Sequence, residues 1–384
     1  MPKAVIDKGI AKFYNIINNY LLRDCVMRIL NVIPDIGISN GVMSVILNYV
    51  KAMPADVIFD IIYFADKEKS RKGDIEALGG NVYKVNPPSA KDLLSGKMDS
   101  FFKEHKGEWE ALHIHCPHYA VFIAPYAKKN GIKKIFVHCH TTEFSLKGNS
   151  NRNRILSLYA KYFIKNKIAC SEDSGKLWYG KMKFTVLNNA IDCDAFRYNP
   201  QISAEVRNNL KLNDCFVVGH IGNTGIPQKN HTFIFKVFAQ IKKERDNAVL
   251  LLIGAEKTNE LDSLAKSLNI AESVCYLGVR SDVDRLLQGV DVFLFPSISE
   301  GLPVSVIEAQ AAGVPVVMSN SITNEVIVTD NVISLPFCES ISVWSNSCLR
   351  ACGRQKVDYC ELLKKSGWDI HINAEKLIAW YKND

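Results

Sequence analysis

Two carboxylates, Glu300 and Glu308, stand on either side of a Gly301-Leu302-Pro303 turn. The run Asp291-Val292-Phe293-Leu294-Phe295-Pro296-Ser297 before them reads as a strand and turn, and the residues after Pro303 read as a helix carrying Glu308-Ala309. Glu300 then occupies the loop beyond a strand, and Glu308 can reach the same crevice from the helix's first turns. Ionised carboxylates accept hydrogen bonds from hydroxyls. Gly301 and the start of the helix offer backbone N–H groups, and a helix N-terminus carries partial positive charge suited to a phosphate. One segment could thus bind hydroxyls and a diphosphate together.

Other chemistry-bearing residues fall at strand ends. His140 follows Ile135-Phe136-Val137 and precedes Thr141-Thr142-Glu143, so it projects from a carboxyl strand end unless it is a satisfied structural histidine. Gly37 and Gly41 bracket Ile38-Ser39-Asn40 after the first strand. Glycines there let a backbone approach phosphates without a colliding side chain, although a tight turn without a ligand explains them as well. Their spacing is not GxGxxG. His113, His115, His118 and His138 have spacings that can bind zinc, but no acidic partner is fixed beside them, and no metal is expected.

The elements that must position these residues alternate. Short apolar runs at Met27–Val32, Val57–Tyr63, Ala111–His115, Lys134–His138, Lys167–Cys170 and Thr185–Leu187 are separated by amphipathic segments. A second series follows at Phe216–Ile221, Ala248–Ile253, Val274–Leu277, Val292–Phe295 and Val314–Met318. This pattern predicts an α/β protein with two doubly wound sheets in tandem and a cleft between them, with ligands at the carboxyl ends of strands. The expected boundary lies near residue 200, in a polar linker over Phe196–Asp214. The domains expected are 27–200 and 201–366, with a C-terminal helix in 367–384 crossing back to the first. Ahead of them, Ile6, Ile10, Phe13, Ile17 and Tyr20 form a helical stripe in residues 1–26, an amphipathic extension that packs on the protein or lies on a membrane.

The 384 residues exceed what one core usually serves, which agrees with two domains. Net charge is +7, but residues 1–200 hold 29 Lys/Arg against 19 Asp/Glu while residues 201–384 hold 18 against 21. The basic first half lacks the clustered basic and aromatic interleaving of a nucleic-acid module, so nucleic acid is not expected. Anionic lipid headgroups or phosphorylated acceptors fit that half as well as solvated lysines do. Eleven cysteines with no CxxC pair suggest neither a disulfide framework nor a zinc site, and a reducing cytosol fits best. No apolar run is long enough to span a membrane, and Asp7, Lys8 and Lys12 stand where a signal peptide would be apolar.

The segment Ser299–Glu308, together with Gly313-Val314-Pro315-Val316-Val317 after it, resembles the signature of the retaining GT-B glycosyltransferases of family four. Resemblance continues in Gly37–Gly41, His138-Cys139-His140, Cys170-Ser171-Glu172, Val218–Gly222, Gln228-Lys229-Asn230-His231 and Leu277-Gly278-Val279-Arg280. Asn188-Asn189-Ala190-Ile191-Asp192 is similar to the family's Asn-Gly-Ile-Asp turn, with alanine for glycine. The resemblance implies a GT-B fold, two Rossmann-like domains facing a cleft. It also implies that Glu300 contacts the donor sugar's hydroxyls, Glu308 the ribose and Lys229 the diphosphate, with His140 beside the transferring sugar. Gly301, Leu302, Pro303 and Arg280 join the donor site, as does Asn223, which stands where members commonly carry a second cation, an arginine. The expected reaction moves a hexosyl unit from a nucleoside diphosphate sugar, by family frequency a UDP-sugar, to a hydroxyl of a glycan or lipid-linked oligosaccharide. Capsule, exopolysaccharide or O-antigen assembly is the implied setting, in the cytoplasm or at the inner face of the cell membrane. The donor is a substrate, and no cofactor is implied. A GT-B sugar-nucleotide epimerase is one alternative. A nicotinamide-dependent oxidoreductase is another, with Asp56 or Asp60 as the ribose acid after the Gly37–Gly41 turn.

Overall fold

The computed structural model describes residues 26–38, 40–88, 96–144, 150–351, 353 and 356–383. The helix expected in residues 1–26 lies outside them, apart from Val26. Thirteen strands form two sheets: β1 (Met27–Val32), β2 (Val57–Tyr63), β3 (Val82–Lys84), β4 (Ala111–Ile114), β5 (Lys134–Cys139), β6 (Asn166–Ala169) and β7 (Thr185–Val186) in one, and β8 (Phe216–Ile221), β9 (Ala248–Ile253), β10 (Val274–Tyr276), β11 (Val292–Phe295), β12 (Val316–Ser319) and β13 (Val332–Leu335) in the other. By internal contacts the chain divides into one compact unit of 1–138, 152–167 and 374–384 and another of 139–151 and 168–373.

The first sheet runs β3-β2-β1-β4-β5-β6-β7 and the second β10-β9-β8-β11-β12-β13. Strands pair in parallel in both sheets, as in Ile29 opposite Phe59 on one side and Ala111 on the other. Both orders reverse next to the first strand of their series, between β1 and β4 and between β8 and β11. Crevices open at the carboxyl ends of strands where winding reverses. These are the positions of the loops after β8 and β11.

The second sheet shows why its strands read as unbroken apolar runs. Val217, Leu251, Phe293, Phe295, Val316 and Met318 enter one core with Val306, Ile307 and Trp368. Their alternates Phe216, Val218, Leu250, Leu252, Val292, Leu294 and Val317 enter another with Phe235, Phe238 and Trp344. Side chains alternate with a period of two and both faces are covered, so neither set can be polar.

The stretch Phe196–Asp214 contains a ten-residue helix, Pro200–Asn209. Asn199 caps it by accepting from the Gln201 and Ile202 amides at 2.9 and 3.2 Å, and proline at the first helical position removes a donor that would have no partner. Gln288 accepts from the Asn199 amide and Arg207 pairs with Asp291 at 3.0 Å, so this segment is packed within the second unit.

In the first unit, Asp60 is fully buried in the middle of β2. It accepts from Arg28 Nε at 2.8 Å and Nη2 at 2.5 Å, from Trp109 Nε1 at 2.7 Å and from the Asn81 amide at 2.6 Å. A carboxylate engaged this way is not at a strand end and cannot serve as a nucleotide's ribose acid, which removes Asp60 from the oxidoreductase alternative. The Arg28 guanidinium is held above its ordinary pKa chiefly by its hydrogen bonds to Asp60. The nine described cysteines are free, and no helix among the described residues is long and apolar enough to cross a membrane.

Asp60→Ala leaves the Trp109 and Asn81 donors and the Arg28 charge without their acceptor. The expected cost is about 3 kcal/mol, the low end for breaking a buried pair because Arg28 keeps some solvent contact. Urea denaturation of the purified variant checks this, and an unchanged midpoint refutes it.

Candidate functional site

The centre of the site is the carboxyl end of β11, four buried apolar residues followed by Pro296. The turn after β8 is bound directly to it. The Ile298 amide donates to Gln228 O at 2.8 Å, and Asn230 Nδ2 donates to Pro296 O at 3.2 Å. Asn230 has a left-handed backbone, φ 58°, which closes the Pro227–Lys229 turn and starts the helix His231–Glu244. Lys229 is thereby fixed against β11. Its ammonium lies 2.8 Å from Glu300 Oε1 and 4.9 Å from the centre of the Phe295 ring, and each charged side chain is only 16% exposed. Shielding from water strengthens this pair relative to a surface salt bridge.

Gly222 makes that placement sterically feasible. A Cβ there would fall 2.6 Å from His220 Nε2 and 3.0 Å from Lys229 Cγ, so the lysine stem passes where any other residue would stand. Asn223, next in the chain, accepts from the Gly225 amide through its side chain at 2.7 Å and shapes the turn. His220 is buried behind them with Nδ1 2.9 Å from Leu294 O, and burial and then His231 hold its pKa well below the ordinary value. His231 is lowered to about 4, first by burial.

The segment after β5 joins the same loops, all within the second unit. Thr142 Oγ1 donates to Glu300 O at 3.3 Å and Ser299 Oγ to Glu143 Oε1 at 2.8 Å. A Cβ on Gly301 would lie 2.7 Å from His140 O, so only glycine lets the two backbones meet. His140 is buried, with Nδ1 3.1 Å from Asn189 Oδ1. Burial lowers its pKa to about 4 against the opposing bond to Asn189, so the ring is neutral near pH 7. With the amide oriented as Oδ1 toward the ring, the proton resides on Nδ1 and Nε2 is the acceptor.

Past Leu302, which is buried, Pro303 precedes the helix Val304–Ala311, and no side chain caps its N-terminus. First-turn amides of this kind suit a phosphate. Glu308 sits in the second turn. It keeps partial solvent exposure at the surface of a densely packed region, and its carboxyl is pushed up to about 7 by burial and then by the charge of Asp284, with Lys229 opposing.

The remaining expected residues are placed differently. Arg280 is exposed and makes a two-pronged pair with Asp282, at 2.8 and 2.6 Å. Gly37 and Gly41 belong to the other unit. A Cβ on Gly37 would meet Lys67 Cγ at 2.8 Å, whereas one on Gly41 would meet nothing within 4 Å. Asn40 between them caps the helix Gly41–Ala52. In that unit His113, His115 and His138 bring ring nitrogens within 4.8 Å of one another. Their rings stack, at 4.2 Å for His113–His115 and 5.3 Å for His113–His138, with Tyr381 OH on His113 at 2.6 Å and Asn31 Oδ1 on His115 at 3.0 Å. Residues the sequence reading did not single out are Gly222, Thr142, Glu143, Asn189, Ser299 and Asp284. They were given no role of their own, although all but Asp284 lie inside the segments quoted.

Residues 201–340 match the family model described as glycosyl transferases group 1. Over 371 residues the chain is 29% identical to a Bacillus subtilis (strain 168) protein named as a glycosyltransferase, EpsF, covering 92% of this chain and 96% of that one. Over 159 residues, 40% of this chain and 41% of the relative, it is 30% identical to an Escherichia coli enzyme named UDP-Gal:alpha-D-GlcNAc-diphosphoundecaprenol alpha-1,3-galactosyltransferase. Among solved structures, Anabaena HepE in complex with UDP superposes with a TM-score of 0.76 at 18% identity, covering 92% of this chain and 99% of that one.

The Glu308 carboxyl gives a titration independent of any ligand. Its folded pKa of about 7 lies above the ordinary 4.5, so the unfolded chain ionises first and stability falls as pH rises from about 4.5 to about 7. Glu308→Gln removes that loss. The variant should gain on the order of 1 kcal/mol relative to the parent between pH 5 and pH 7.5, measured by urea unfolding at both pH values. Parallel stability curves for the two proteins would rule the shifted carboxyl out.

Proposed function

The chain is a glycosyltransferase of the GT-B fold, and on that premise we propose that it is a retaining family-four enzyme transferring a hexosyl unit from a UDP-sugar to a lipid-linked glycan. The observation that carries this reading is the Lys229–Glu300 pair at the carboxyl end of β11, beside a helix N-terminus without a side-chain cap. A nucleoside diphosphate sugar has three polar parts, and the site offers a group for each. Glu300 accepts from the sugar's hydroxyls, Glu308 from the ribose, and Lys229 with the first amides of Val304–Ala311 faces the diphosphate. Support for UDP and for a diphosphoundecaprenol-linked acceptor comes from the activity named for the Escherichia coli relative and from the UDP bound in the Anabaena complex. Cell-surface polysaccharide assembly at the cytoplasmic face of the membrane is the setting that fits such an acceptor.

In the transfer, the bond from the anomeric carbon to the diphosphate oxygen breaks and the acceptor oxygen bonds to that carbon on the same face. The acceptor's hydroxyl proton passes to the departing diphosphate oxygen. No protein nucleophile is assigned. The chain positions the reactants and stabilises charge as it develops on the leaving group. Lys229 and Glu300 pair at 2.8 Å, and donor binding replaces that pair with one contact from each to the donor. Neutral His140 presents Nε2 as an acceptor beside the sugar and adds no positive charge that would oppose an ion-like anomeric centre. The site reading requires no metal ion, because lysine and amides face the diphosphate.

Glu300→Ala and Lys229→Ala should each lower turnover about 100-fold or more with circular dichroism unchanged. Product analysis with a panel of UDP-sugars and a diphosphoundecaprenol-linked acceptor measures it. Near-normal transfer by either variant sinks the assignment, and conversion of donor to an isomeric donor without glycosylated product points to an epimerase.

A further inference from the structure

The helix Ser150–Phe163 is built unlike the others that cover the sheets. Of the large apolar side chains among the described residues, the three most exposed all lie on it: Phe163 at 67%, Ile155 at 65% and Tyr162 at 58%, with Leu158 at 44%. Ile155, Leu158 and Tyr162 follow at spacings of three and four, which puts them on one face. Tyr159 stacks on Phe163 at 5.3 Å along its margin. The opposite face carries Ser157 and Ala160, both buried, and is the side that packs on the protein. The apolar face is therefore an outward surface of the folded chain.

Its borders are basic. By helical periodicity Arg154 and Lys161 line one side of the apolar stripe and Arg152 the other, Lys165 follows just past the helix end, and residues 150–167 contain no aspartate or glutamate. Lys161 Nζ lies 5.4 Å from the Tyr162 ring centre, a cation resting beside an aromatic at the rim. Exposed aliphatic and aromatic side chains along the stripe and cations on both its borders match a bilayer interface, where acyl chains and the headgroup level take the former and phosphates the latter. A second copy of the chain is a poorer occupant, since a two-fold contact helix to helix brings the cations of residues 150–167 against the same cations of the other copy, with no acidic residue in that segment to answer them.

We propose that the Ser150–Phe163 helix docks the enzyme in the plane of an anionic phospholipid bilayer. The inference deepens the lipid-linked acceptor reading and rests on it for the biological need of a membrane, but the surface argument uses none of the donor-site residues. Docking through both apolar insertion and phosphate contact makes the association depend on lipid charge and on salt.

The test is co-sedimentation of the full chain, without donor or acceptor, with vesicles of phosphatidylcholine alone or with about 30 mol% phosphatidylglycerol, an anionic surface of the kind that attracts basic segments. Binding to the anionic vesicles only is expected. Arg152→Gln and Arg154→Gln should each weaken it about fivefold, corresponding to ~1 kcal/mol per cation, and Ile155→Ser with Phe163→Ser should abolish it. A UDP-induced thermal shift on the same samples reports the donor site, so a missing shift with intact vesicle binding faults the donor reading alone. The proposal is overturned if the variants sediment with vesicles as the parent does, if neutral vesicles bind equally, or if light scattering shows a dimer that Ile155→Ser dissociates.

Discussion

Everything at the candidate site depends on one ion pair with little access to water. Lys229 and Glu300 approach to 2.8 Å with 16% exposure each. Charges removed from water must be paired and geometrically fixed, or the local structure rearranges to let solvent in. The surrounding architecture provides that fixation: Asn230 in a left-handed turn, the Ile298 amide on Gln228, the Phe295 ring under the ammonium, and glycine at 222 where the lysine stem passes. The second carboxylate of the segment, Glu308, is governed by its surroundings: burial and then the charge of Asp284 push its carboxyl up to about 7, with Lys229 opposing.

Asn223 stands where the resemblance leads one to expect a second cation. Its side chain folds back on the Gly225 amide and stabilises the loop that precedes Lys229. Amides at a helix start without a side-chain cap contribute partial positive charge without a second cation. Arg280, the other cation expected nearby, is held by Asp282.

Strand existence was legible almost throughout, because strands buried on both faces must be apolar at consecutive positions. The alternation of Phe216, Val217 and Val218 between two cores is the physical origin of that signal. β3 and β13 were missed for the converse reason. They are edge strands of three and four residues, largely half-buried, and their sequences need not be uniformly apolar. The helix Pro200–Asn209 was read as a polar linker because only Val206 among its residues is buried, so its Asn199-Pro200 start carried a helix signal while its composition suggested a loop.

The sequence by itself determined two parallel sheets and marked Glu300, Gly301, Lys229 and His140 as candidate site residues, since each follows from local spacing or from motifs with a fixed register. Tertiary structure alone decided which of these meet. His140 and Gly301 are distant in the chain, and their backbones touch because the loop after β11 lies over the segment after β5. The same holds for the neutral state of His140, set by burial and Asn189, and for the engagement of Asp60 with Arg28 and Trp109. Contacts between residues far apart in sequence, and the exclusion of water they produce, are properties of packing and leave no trace in local pattern.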